Sequence, residues 1–353
     1  MTVAHINRIA TAVPPHDVHD AFVEFARTLL PSDKMRVLFD RMAERSGIAH
    51  RFSVFAPGTP GAVDVDAGGF YQRGAFPGTA ARMAGYAEHA VELAVQAVEG
   101  LEPDGVTHLV VASCTGFTAP GLDQLIARRM GLSPALERSL IGFMGCYAAV
   151  PALRTAHHIV RSDPAARVLV VNAELCTLHM QESPNLETVL SFLLFGDGAT
   201  AALVTAEAEG IALLDFHAAA LPDTADLITW HIGDQGFDMY LSGKVPSRIG
   251  AALRAEAERN GGGMLRGMAV ADVPLWAVHG GGRTVLDAVE AGLRLPPEAL
   301  AHSRQVLHDV GNVSSATLMF VLARMLGQRG EASGVGMAFG PGLCAETFRF
   351  RRL

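Results

Sequence analysis

The chain has 353 residues, 50% of them hydrophobic, 18% charged and 7% aromatic, with 28 basic residues against 36 acidic ones and a formal net charge of −8. That length and balance exclude a disordered chain and a small disulfide-stapled scaffold, and they disfavour a nucleic-acid partner, which would show as a basic excess or stripe. No apolar run reaches the ~18 residues of a membrane span, and Met1 to Pro15 lacks a cationic segment followed by a long apolar one, so no membrane span and a cytoplasmic location are expected.

Short β-branched runs alternate with longer Ala- and Leu-rich stretches, which predicts an α/β architecture with buried sheets. In chain order the pattern predicts a helix over 85–98, a strand over 108–113, a helix over 122–130 and a strand over 139–142. A helix over 147–162 and strands over 167–173 and 199–205 follow. Further on come a helix over 247–259, a strand over 275–278, and helices over 282–292 and 315–326. Each half closes on an apolar hairpin: 199–205 with 211–218 around residues 206–210, and 334–339 with 343–350 around the turn Gly340-Pro341-Gly342. This similarity of plan predicts a duplicated α/β unit, with halves 1–220 and 221–353.

The four cysteines, Cys114, Cys146, Cys176 and Cys344, form no close CxxC pair, so no metal site is expected. Disulfides are not expected in a cytoplasmic chain of this size either. Cys146 follows Ile141-Gly-Phe-Met-Gly145, where a short strand gives way to an Ala-rich helix. Unpaired amide groups and the helix dipole at such a terminus favour a thiolate, although a small buried cysteine is also a good core residue. An apolar strand ends on His279 before three glycines, a position suited to meeting a ligand. Asn312 stands just before a helix, where capping is its ordinary role. Together they supply a nucleophile, an imidazole and an amide donor. The spacing leaves acyl transfer and thiol-dependent hydrolysis both open.

The motifs Arg41-Met-Ala-Glu-Arg45-Ser-Gly-Ile, Ser113-Cys-Thr-Gly-Phe, Gly145-Cys-Tyr-Ala, Leu194-Phe-Gly-Asp-Gly-Ala, His279-Gly-Gly-Gly, Gly311-Asn-Val-Ser-Ser and Phe339-Gly-Pro-Gly-Leu occur in that order. In this respect the sequence resembles the type III polyketide synthases, the chalcone and stilbene synthase superfamily on the thiolase fold. The resemblance implies that Cys146 accepts an acyl group from a starter acyl-CoA, with His279 and Asn312 as its partners and Phe195 as an aromatic gate. Malonyl-CoA then loses carbon dioxide and its enolate attacks the bound thioester. Imidazolium at His279 is expected to hold Cys146 as a thiolate below the ordinary thiol pKa of ~8.5. Arg41 and Arg45, four apart on one helical face, are expected to bind coenzyme A phosphates, with solvation of that face as the plainer reading. No cofactor beyond coenzyme A thioester substrates is implied, and a homodimer is.

The same resemblance places Cys114, Ala119, Cys176, Trp230, Met239 and Ser314 around the substrate cavity, with Ala119 contributed to a neighbouring subunit. Gly340, Pro341 and Gly342 are expected to shape its wall. A small Ala119 and a bulky Trp230 suggest an aliphatic starter and an alkylresorcinol or alkylpyrone product. Cys114 and Trp230 also suit a malonyl-only route to a tetrahydroxynaphthalene-type product. Two further readings are a ketoacyl-carrier-protein synthase that starts fatty acid synthesis and a catalytically silent acyl-CoA-binding subunit.

Overall fold

The computed structural model describes residues 2–258 and 263–353. Its strands are β1 (Ala4–Ala12), β2 (His16–Asp17), β3 (Phe52–Ser53), β4 (His108–Ser113), β5 (Glu137–Gly142), β6 (Val168–Leu175) and β7 (Asp197–Thr205). β8 (Ile211–Ala220), β9 (Ile228–Gly233), β10 (Gly236–Leu241), β11 (Leu275–Val278), β12 (Ala332–Gly340) and β13 (Cys344–Arg352) follow. The α-helices are α1 (His19–Leu29), α2 (Asp33–Arg45), α3 (Thr79–Leu101), α4 (Leu122–Arg129) and α5 (Ala149–Ser162). They continue as α6 (Leu186–Leu194), α7 (Val245–Glu258), α8 (Arg283–Leu293), α9 (Ala301–Val310) and α10 (Thr317–Leu326).

Period-2 alternation sorts the buried strand residues between two faces. On β6, Val168 and Val170 pack with α5 and α10, whereas Leu169 and Val171 pack with α3. On β11 and β12, Ala277 and Ala338 join that same α5–α10 layer, while Trp276, Val278, Val335 and Met337 turn to α7 and α8. The result is five layers, with α5 and α10 in the middle, strands on either side of them, and α3 and the α7–α8 pair outside. This is a thiolase-like arrangement. Each such Val, Leu or Phe contributes about 1.5–3 kcal/mol relative to exposure, and β6 and β7 are buried at every position.

The strands join in the order β11-β12-β13-β8-β1-β7-β6-β4-β5. That order corrects one expectation. β7 and β8 form no hairpin, because β1 lies between them, pairing antiparallel with β7 from His5↔Thr205 to Ala12↔Ala199 and with β8 at Ala4↔Leu213. The segment between β7 and β8 is therefore a bridge across β1, which gains hydrogen-bonding partners on both edges. The second hairpin forms as expected, from Ala332↔Arg352 to Gly340↔Cys344. β8 pairs along its length with β13, so the last strands of the two halves meet. Several helix bounds also differ. α3 starts at Thr79, and single 3₁₀ turns, Gly145–Tyr147 and Ser314–Ala316, precede α5 and α10. Arg259, the expected end of the helix from residue 247, lies outside the described residues.

Two glycines let the β12–β13 pair carry aromatic rings across the strands. Gly334 faces Phe350 and Gly336 faces Phe348 in register, and a Cβ at either glycine would collide with its partner ring. Gly336→Ala should therefore lower stability by about 1–3 kcal/mol through overpacking, read as a lower denaturant midpoint with an unchanged slope. An unchanged midpoint would show that the ring moves aside at no cost.

Candidate active site

The nucleophile candidate sits on a turn that the sequence makes tight. Phe143 and Gly145 take positive φ, 56° and 75°, and a Cβ at Gly145 would collide with the Pro341 ring. Pro341 thus presses directly on the residue before Cys146, and the Phe339–Leu343 turn is both the β12–β13 connection and a buttress for the nucleophile. Cys146 lies in the 3₁₀ turn just ahead of α5 and is buried. Such left-handed non-glycine residues cost about 1–3 kcal/mol and persist only where packing holds them. Ser314, with φ 47°, is a second one, and it lines the cavity that Cys146 faces.

His279 directly follows β11, and its backbone N–H donates to the Met337 carbonyl at 2.9 Å. Asn312 makes the capping contacts expected of it and keeps its amide hydrogens on the cavity side. Its Oδ1 accepts from the Ser314 N–H at 2.9 Å and the Thr317 hydroxyl at 3.3 Å, which caps the following turn. Its Nδ2 donates to the Gly281 carbonyl at 3.3 Å, two residues from His279, leaving its second hydrogen available. The Asn312 backbone pairs with the end of α6: its N–H donates to Leu194 at 2.8 Å, and its carbonyl accepts from Gly196 at 3.0 Å. Phe195 is thereby set beside Asn312.

Cys146, His279, Asn312, Ser314 and Phe195 line one cavity of about 860 Å³, its open mouth included. Cys114, Cys176, Trp230, Met239, Gly340 and Pro341 also line it. Gly342 takes φ 75° at the outer end of its turn and does not face the cavity. Ala119 is exposed and lies away from this chain's cavity. Arg41 and Arg45 are exposed on α2 and line no part of the cavity.

Burial works against either charge of the expected ion pair when it stands alone. Burial pushes the Cys146 thiol up to about 11, an effect that the Ser314 and Asn312 side chains only partly offset. Burial alone pulls His279 down to about 4, and neither ring nitrogen has a hydrogen-bond partner among the described residues. Burial thus disfavours a lone charge on either group, because an isolated charge is costly among apolar walls. A neutral imidazole is the form that accepts a proton.

Two buried groups behind the cavity carry no sequence expectation. Glu174, on β6, accepts from the Cys114 N–H and the Thr115 hydroxyl, both at 2.9 Å, and from the Ser315 hydroxyl. Burial raises its pKa to about 7 against those hydrogen bonds. His179 stacks on Phe237 at 4.2 Å and meets the Trp230 ring edge-on at 5.5 Å. It donates from Nε2 to Thr115 and accepts at Nδ1 from Phe237 N–H, while Trp230 Nε1 donates to Cys114. The cavity's bulky wall is thus braced from behind. An acidic residue inside the apolar run 168–175 was the available signal for Glu174, whereas nothing marked His179.

The upward shift of the Cys146 thiol has a measurable consequence. Alkylation of Cys146 by iodoacetamide in the free enzyme should be slow at pH 7 and climb steadily through pH 8–10, as expected for a thiol whose pKa burial has raised above the ordinary ~8.5. His279→Gln should leave that profile in place. A plateau already reached below pH 7 and abolished by His279→Gln would show an imidazolium–thiolate pair in the resting enzyme.

Known proteins give this geometry its family. The N-terminal domain model of the chalcone and stilbene synthases matches residues 2–208, and the C-terminal domain model matches residues 214–353. The alpha-pyrone synthesis polyketide synthase-like Pks18 of Mycobacterium tuberculosis is 33% identical, over 99% of this chain and 91% of its own length. Bisdemethoxycurcumin synthase of rice, Oryza sativa subsp. japonica, is 32% identical over 98% of this chain and 91% of its own. The crystal structure of PKS-I from the brown alga Ectocarpus siliculosus superposes with a TM-score of 0.88 at 29% identity, covering 100% of this chain and 99% of the other. These matches displace the ketoacyl-carrier-protein synthase reading: the chain belongs to the chalcone and stilbene synthase family and is a type III polyketide synthase, an acyltransferase.

Proposed function

We propose that the enzyme loads a long aliphatic acyl group from coenzyme A onto Cys146, extends it with malonyl-CoA and releases an alkylresorcinol or alkylpyrone. The observation that carries this reading is a second cavity behind the first. Its walls include Phe22, Phe25, Phe55, Tyr71 and Met180, and it shares Cys176, Phe192 and Phe195 with the Cys146 cavity. An apolar chain entering there would exchange water for aromatic surface, worth roughly 0.8 kcal/mol per methylene. Trp230 fills space on another side that a bulky planar starter would need. The alpha-pyrone activity in the name of Pks18 supports the same product class.

In this reading His279 takes the Cys146 proton as the sulfur attacks the starter thioester, and returns it to the departing coenzyme A thiolate. Cys146 then carries the acyl group. His279, neutral again and donating through its ring N–H, and the free hydrogen of Asn312 then donate to the malonyl thioester oxygen as carbon dioxide leaves and enolate charge builds. The enolate carbon attacks the acyl thioester, which frees the Cys146 sulfur for the next round. Among the described residues that line the cavity there is no Asp or Glu, and the apolar walls keep water from quenching the enolate. Arg41 and Arg45 meet the phosphates of coenzyme A at the mouth. The halves 1–220 and 221–353 share β8 as their seam, each bringing part of the site. A second copy of the chain covers exposed Phe117 and Leu140 on the β5 side, which takes Ala119 into the dimer.

Two experiments test this. Purified enzyme supplied with malonyl-CoA and acyl-CoA starters should form pyrones or resorcinols by mass spectrometry, and Cys146→Ala should form none; equal product from the variant would remove Cys146 from the nucleophile role. Ala21 lines the second cavity on α1. Ala21→Phe should lower kcat/KM for dodecanoyl-CoA at least about tenfold while leaving hexanoyl-CoA within about twofold, as expected if several methylenes lose their place. An equal effect on both starters would place the chain elsewhere.

A further inference from the structure

Arg51 is among the largest fully buried side chains, 2% exposed. Its Nη1 donates to two backbone carbonyls, Phe192 at 2.9 Å and Phe195 at 2.8 Å. Its Nε donates to His19 Nδ1 at 3.1 Å, and the guanidinium lies over the Phe22 ring, 4.6 Å from the centroid. No carboxylate lies within ion-pair distance among the described residues. Burial pulls its pKa down to about 10, which leaves it charged at neutral pH. A buried cation is held here by carbonyls, an imidazole and an aromatic face, and its place is the C-terminus of α6.

That placement answers a local need. The last carbonyls of a helix lack partners inside it, and a cation there also complements the dipole. Arg51 satisfies Phe192 and Phe195, while Asn312 N–H satisfies Leu194. Its aliphatic stem packs on Gly311, where a Cβ would come within 2.8 Å of Cγ. One side chain therefore touches the segments on both sides of the Phe195–Asn312 bridge, and it also lines the second cavity.

We propose that Arg51 is a positioning residue for chain extension: by capping α6 it sets where Phe195 and Asn312 stand relative to the acylated cysteine. The inference rests on the reading of Cys146 as acyl acceptor. Loading and extension depend on it unequally. Cys146 is braced by Pro341 and His279 by β11, neither of which Arg51 touches. Phe195 and Asn312, which shape and stabilise the enolate step, hang on the segment it caps. A shift of about 1 Å in a positioned group can cost of the order of a hundredfold in rate.

The test separates the two steps in Arg51→Met, which keeps length without the donors, and in Arg51→Lys, which keeps charge but cannot hold both carbonyls and His19. The first readout is the single-turnover acylation of Cys146 by dodecanoyl-CoA, from intact-protein mass. The second is extension per acylated enzyme after malonyl-CoA addition, together with the number of extensions in the product. Arg51→Met should acylate within about twofold of the parent yet extend at least about tenfold more slowly, with the product shifted to fewer extensions and Arg51→Lys in between. Should Arg51→Met not fold, His19→Leu, which removes only the Nε acceptor, should give the same split at smaller size, with His19→Gln restoring it. Equal losses in both steps with an unchanged product pattern would mark Arg51 as merely structural and overturn the proposal. So would unchanged extension. Failure of the parent enzyme to acylate at all would instead overturn the Cys146 reading beneath it.

Discussion

Two backbone hydrogen bonds join Asn312 to the end of α6, from Asn312 N–H to Leu194 and from Gly196 N–H to the Asn312 carbonyl. Through them Phe195, Asn312 and the wall between two cavities are joined. Phe192 and Ser191 on α6 line the Cys146 cavity, and Phe195 lines both cavities. On the other side of the site, Pro341 presses on the Gly145 turn, so Cys146 is held from the β12–β13 connection. Residues far apart in the chain thus meet because each half supplies a backbone partner that the other lacks.

The cavity so enclosed is lined mostly by apolar side chains, which bears on its chemistry. Removing water penalises a lone thiolate and a lone imidazolium alike, and burial shifts Cys146 up and His279 down accordingly. In the proposed reaction, proton transfer between them creates both charges together as substrate arrives, and the developing oxyanion is then met by donors already in place. A preorganised donor needs no reorientation at that moment, which is the larger part of such stabilisation. The same exclusion of water protects an enolate.

Much of this was legible in the residues. β4 and β11 lie where the pattern placed them, since each is an apolar run ending in a polar or glycine-rich turn. The end of β11 at His279 and the turn before Cys146 were visible because glycine marks both. What the sequence could not carry was strand order. Residues 4–12 lack clean alternation, so β1 went unseen, and its insertion between β7 and β8 dissolved the first expected hairpin. Arg51 and His179 were hidden for a related reason. Their significance comes from partners more than a hundred residues away for Arg51, and from rings stacked across the fold for His179. The local sequence could not show how far burial opposes the thiolate, because the residues that enclose Cys146 come from the whole chain.

The account stands or falls on a covalent intermediate at one sulfur. Peptide mapping of the enzyme quenched after mixing with dodecanoyl-CoA should locate the dodecanoyl thioester on Cys146, and malonyl-CoA added before the quench should remove it as extended product appears. An adduct confined to Cys114 or Cys176, or product formed with no acyl group ever on Cys146, would contradict it.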